Sequence, residues 1–133
     1  MTTDHQQIRP TTPIDQIAEE WVDTVVALHP TTGTYLGRVE SNDRFGDYSP
    51  EGLAAEETAT RAALTALQAA TPVDAVDEVT KRDLADQLSL SLESAAAKLP
   101  LRDLNVIASP IQDIRDAFDL MPQETEEDWS IVA

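Results

Sequence analysis

His5 and His29 are the only imidazoles in the chain, and it contains no cysteine. A helical zinc site of the H-E-x-x-H kind needs two imidazoles one turn apart with a carboxylate base beside them, which this sequence cannot supply. His29 precedes Pro30 at an expected helix end, where a helix-dipole contact or a hydrogen bond accounts for it more simply than a metal. Carboxylates come in groups, Glu19 with Glu20, Glu56 with Glu57, Asp83 with Asp86, and Glu126 to Asp128. A di-metal bundle would need inward-facing Glu-x-x-His pairs, and there are none, so these groups read as solvated faces and first-turn dipole partners. Ser49 and Ser109 each precede a proline and lack a histidine base, which makes them helix caps before nucleophiles. No catalytic residue and no metal ligand is assigned within these residues.

The stretch from His29 to Gly52, "HPTTGTYLGRVESNDRFGDYSPEG", is what remains. Its "TGTYLG" lacks the lysine and the spacing of a phosphate loop, so its glycines read as turn residues. Gly33, Gly37 and Gly46 permit positive φ, and Asn42 and Asp43 favour turns, so the connector can fold compactly. Tyr35, Leu36, Phe45 and Tyr48 can anchor it on helices, with a helical turn expected around Thr32 to Leu36. Connectors longer than about 12 to 15 residues are uncommon unless functional or partly helical. Gly33, Tyr35, Gly37, Asp43, Arg44, Gly46 and Asp47 are therefore the candidate residues of a hinge or edge loop.

The elements that hold this connector are announced by a repeated cap. Thr12-Pro13 with Asp15, Ser49-Pro50-Glu51, and Ser109-Pro110 each place a capping oxygen before a first-turn proline. Ile14, Ile17, Trp21, Val25 and Leu28 recur at helical spacing until Pro30. Leu53, Glu57, Thr60, Leu64 and Leu67 form a weaker stripe that ends at Thr71-Pro72. A third helix opens near Asp74 and carries Val76, Val79, Leu84, Leu88, Leu92, Ala95 and Leu99, which reads as the strongest stripe in the chain. "LPLRDLNVIAS" reads as a turn and an extended connector. Ile111, Ile114, Phe118 and Met121 mark a short helix closed by Pro122. Thr125 before Glu126, Glu127 and Asp128 announces a last helix, cut off at Ala133. No segment alternates with a strand period and no repeat of fixed length occurs. The expected class is all-α, antiparallel hairpins or a bundle of about four to five helices with a long glycine-containing connector after the first. Residues 1–11 read as a disordered lead-in and 12–133 as the helical N-terminal region of a longer protein.

At 133 residues one domain is expected, with a thin core because alanine supplies much of the apolar content. The net charge of −16, from 25 acidic against 9 basic residues, opposes nucleic acid and anionic membrane surfaces as partners. No apolar run approaches the roughly 20 residues of a membrane span, and the N-terminus lacks the apolar segment of a secretory signal. The absence of cysteine fits a cytoplasmic protein.

The segment "LHPTTGTYLGRVESNDRFGDYSPEG" resembles the N-terminal signature of the bacterial domain-of-unknown-function 885 proteins. Pro30, Thr34, Gly37, Asp43-Arg44, Asp47 and Ser49-Pro50-Glu51 carry the resemblance, and "SPIQDIRDAFDLMPQETEEDW" is similar to the family's next landmark. It extends over roughly Ile14 to Ala133. What the resemblance implies is a longer, largely helical parent that looks like a zinc peptidase, with the H-E-x-x-H region beyond this chain. No metal ligand carries over to any residue here, and zinc is expected only in the full-length parent. By analogy with helical metallocarboxypeptidases, these helices would form a wall or lid of a substrate channel, their partner being the remainder of the polypeptide. An isolated chain would then expose an apolar patch or self-associate to cover it. The rival expectation is a free-standing acidic helical module that binds proteins.

Overall fold

The computed structural model describes residues 9–102, 104–107 and 109–133. Among the described residues there are six α-helices and no strand. They are α1 (Pro13–Leu28), α2 (Pro30–Tyr35), α3 (Pro50–Ala69), α4 (Ala75–Ala96), α5 (Pro110–Leu120) and α6 (Glu126–Val132). Short 3-10 turns lie at Val39–Ser41 and Pro100–Arg102. The all-α expectation holds, with α2 as a separate helix where one turn was expected.

The caps explain where the helices start. Thr12 accepts from the Asp15 amide and Asp15 accepts from the Thr12 amide, a reciprocal box that satisfies two otherwise unpaired donors. Thr125 and Asp128 repeat it at α6, Ser49 caps α3 through the Gly52 amide, and Asp74 caps α4 through the amides of Val76 and Asp77. Ser109 departs from the pattern. No backbone amide reaches its side chain, and its hydroxyl is turned instead to the Gln112 side chain. The cap expected there is positional only.

Helices α1, α3 and α4 form the main layer. Ile14, Leu67 and Leu88 are the buried centre, one from each helix, with Ile17, Trp21, Leu64 and Leu84 packed around them. Full burial of such side chains contributes roughly 1.5–3 kcal/mol each, so three of them make a small core. The α4 stripe, expected to be the strongest, is only half used. Leu84 and Leu88 face the core, whereas Val76, Val79 and Leu99 are exposed. Helix α4 packs mainly on α1 and α3, and these three side chains lie away from that contact. A second cluster joins α2 to α5, where Ala117 and Met121 are buried and Phe45 meets Phe118 at 5.6 Å between ring centroids.

The layer is tied at one end by a polar knot. Asp77 is fully buried, and its carboxylate accepts from Thr12 Oγ1 at 2.8 Å, from the Val73 amide at 2.9 Å and from Arg9. Arg9 also holds Asp15 and Asp74, so one guanidinium joins the N-termini of α1 and α4. Arg9 thus lies anchored within the stretch read as a lead-in; residues 1–8 fall outside the described residues. The Thr12 amide and then Arg9 hold the Asp15 carboxyl below the usual carboxylate range, and Arg9 does the same to Asp74 first among its causes.

Both groups therefore contribute stability that is complete above the ordinary carboxylate pKa of about 4 and is lost as pH falls through their depressed folded values. Thermal melts from pH 6 down to pH 2 should show this loss, and Arg9→Gln should flatten that limb. An unchanged acid limb in the variant would remove Arg9 from the account.

Candidate functional site

Helix α1 ends at His29, and Pro30 restarts the chain as α2 without a loop. Pro30, Thr31, Gly33 and Thr34 are buried there. A Cβ on Gly33 would lie 2.5 Å from Ser41 Oγ and 2.9 Å from a Val26 methyl, so the 3-10 turn at Val39–Ser41 closes against bare backbone. Thr34 Oγ1 donates to Asn42 Oδ1 at 2.9 Å, fastening the same turn. Among the described residues Gly37 is the only glycine with positive φ, at 75°, so the expectation of three permissive glycines narrows to one. Gly46 has a different reason to lack a side chain, since a Cβ there would sit 2.9 Å from the Leu28 carbonyl at the end of α1.

The remaining candidates are spread out. Tyr35 is half exposed and its hydroxyl donates to the Asp113 carbonyl at 3.4 Å; burial, then the charges of Asp116 and Asp113, raise its pKa. Asp43 and Arg44 are exposed and stand 3.9 Å apart. Asp47 accepts from the Ser49 amide at 2.9 Å, and the Ser49 side chain, then that amide, hold its carboxyl low. His29 Nε2 lies 3.3 Å from Glu56, tying the end of α1 to α3. These contacts fold and anchor the connector, and none of the seven candidate residues lines the groove that the main layer does form.

That groove lies between α3 and α4, at the N-terminal end of the first and the C-terminal end of the second. Pro50, Leu53, Glu56, Glu57 and Thr60 form one side, Leu92 and Ala95 the other, and Leu101 closes the end. Lys98 sits at its edge with φ of 56°, the only described non-glycine residue in the left-handed region. The residues that matter here gave little warning. Lys98 and Leu101 fall past the last helical position of α4, and Arg9 and Asp77 belong to no motif beyond the Asp74-x-x-Asp77 spacing of a helix start.

Among the described residues no three His, Cys, Asp or Glu side chains are placed to hold a metal ion. Asp15, Asp74 and Asp77 converge on the Arg9 guanidinium.

Residues 30–133 match the family described as "Bacterial protein of unknown function (DUF885)". The chain belongs to that family. No curated protein matches it. The DUF885 match begins at Pro30, so it takes in the connector, the α3–α4 hairpin and everything after them. No helix among the described residues is long and apolar enough to cross a membrane.

The glycines give a sharp expectation. Gly33→Ala should destabilise by about 1–3 kcal/mol or more, because the buried Ser41 and Val26 side chains must shift to admit the methyl. Gly37→Ala meets nothing within 4 Å and should cost only the left-handed penalty of about 1–2 kcal/mol. Urea titrations of the two variants measure the order, and a larger loss at Gly37 would contradict the packing described.

Proposed function

We propose that this chain is a non-catalytic helical segment of a zinc-dependent DUF885 peptidase, forming a wall or lid of its substrate channel. The zinc would be held by other residues of the full-length parent, and the partner of this segment would be the rest of that polypeptide. The observation that carries the reading is apolar surface left uncovered. Leu99, Leu101, Leu104, Val106, Ile107 and Ile111 are all more than half exposed, and Val106 reaches 91%. Soluble domains rarely leave large contiguous apolar patches open unless something binds there.

A lid role adds a use for the connector. Within it Gly37 stands at an open, exposed bend beyond the packed turn of α2. The role rests on analogy with helical metallopeptidases and on the family resemblance, which make a channel edge the natural place for such a segment.

Expressed alone, the chain should hydrolyse no peptide in a mixed panel with or without added zinc. It should also bind a dye specific for exposed apolar surface and associate as its concentration rises in sedimentation equilibrium. Hydrolysis by the isolated chain would overturn the non-catalytic reading. A dye-silent monomer with cooperative two-state unfolding would favour the free-standing acidic module instead.

A further inference from the structure

The groove between α3 and α4 has an apolar floor, two carboxylates on its α3 side, Glu56 and Glu57, and one cation, Lys98, at its edge. Its own polar atoms are already engaged. Thr60 Oγ1 donates to the Glu56 carbonyl at 2.8 Å, Ser91 Oγ to the Gln87 carbonyl at 3.1 Å, Glu57 accepts from Arg61 at 2.6 Å, and the Glu56 carboxylate stands 3.3 Å from His29 Nε2. The cations are engaged almost everywhere else too. Six arginines, Arg9, Arg38, Arg44, Arg61, Arg82 and Arg115, stand against carboxylates, and Lys81 donates to the carbonyls of Gln68 and Ala70. Of the nine basic residues that leaves two, Lys98 and Arg102, with no such partner among the described residues. Lys98 lines the groove, and Arg102 ends the short turn whose Pro100 and Leu101 line it.

The backbone at Lys98 adds a second observation. The Lys98 amide bonds to the Ala95 carbonyl and the Leu99 amide to that of Ser94, the pair of bonds that ends a helix through a left-handed residue. Glycine takes that place without strain, yet a lysine occupies it. The position therefore carries a backbone cost that glycine would avoid.

We propose that this groove binds a medium-chain alkyl carboxylate, its chain lying on Leu53, Leu92 and Leu101 and its carboxylate meeting the Lys98 ammonium. Glu57 and Glu56 stand against Arg61 and His29, so Lys98 is the charge on the lining without such a partner among the described residues, and an apolar pocket with a few placed polar groups is the common form of a small-molecule site. The walls favour an alkyl chain over a peptide. They are helices whose backbone amides are spent internally, so a peptide's own amides would be buried there without partners. The site belongs to the α3–α4 hairpin and does not depend on the peptidase reading.

The test is calorimetric titration of the full chain with decanoate below its micellar range, beside decanol and N-acetyl-leucyl-leucine. Decanoate should bind one to one, and decanol at least about tenfold more weakly. Lys98→Gly should lose about tenfold in decanoate affinity while its melting temperature stays level or rises, since glycine relieves the left-handed strain. Leu92→Asp should abolish binding, and helical circular dichroism will show whether that variant still folds. Absence of saturable decanoate binding, equal binding of decanol, unchanged affinity in Lys98→Gly, or tighter binding of the peptide would each overturn the assignment.

Discussion

Everything in the main layer depends on bringing two helix N-termini together at one buried carboxylate. The starts of α1 and α4 each carry the partial positive charge of unpaired amides, and placing them side by side is unfavourable unless anions lie between. Asp15, Asp74 and Asp77 supply those anions, and Arg9 prevents the three carboxylates from repelling one another. Thr12 is the hinge of the arrangement. Its hydroxyl accepts from the Asp15 amide and donates to Asp77, so it serves as cap of one helix and tether to another. A buried carboxylate is tolerated only when its acceptor sites are filled, and Asp77 has a donor from the lead, from Thr12 and from the turn before α4.

That knot sets the directions of the helices. With α1 and α4 starting at the same end, α3 must run against both, and the short turn at Pro72 makes the hairpin. Lys81 then reaches across from α4 to the carbonyls of Gln68 and Ala70, giving the end of α3 the cation its dipole favours. The end of the layer that holds Arg9 and Lys81 is thus polar and closed. The opposite end, where α3 begins and α4 finishes, has no such closure and is where the groove opens.

What could be read from the sequence follows from the range of each signal. Caps, first-turn prolines and helix-ending prolines act within four residues, so the starts of α1, α3, α5 and α6 were legible, as was a helical turn near Thr32 to Leu36. Ser109 shows the limit even there, since its backbone occupies the cap position while its hydroxyl bonds to Gln112. Burial depends on neighbours, and Val76 and Val79 have the spacing of a core stripe with nothing packed over them. The connector glycines were visible as glycines, but whether each serves φ or close approach depends on Ser41, Val26 and the Leu28 carbonyl, contacts between separate elements. Arg9 was the least legible residue. Its partners Asp74 and Asp77 lie 65 and 68 positions away.

The alanine content that thins the core also explains the groove. Toward the closed end of the hairpin Leu64, Leu67 and Leu84 pack into the core between the helices. Toward the open end the facing positions are Ala54, Thr60 and Ala95, whose side chains are too short to meet across the same interval. Leu53 and Leu92 then stand at the sides of the gap, and Leu101 folds back to bound it. A space with apolar walls and no facing side chains forfeits the contacts that a ligand or a neighbouring surface could restore. The same small residues that keep this chain lightly packed thus leave it a concave apolar surface, and the left-handed turn at the end of α4 sets a cation on its edge.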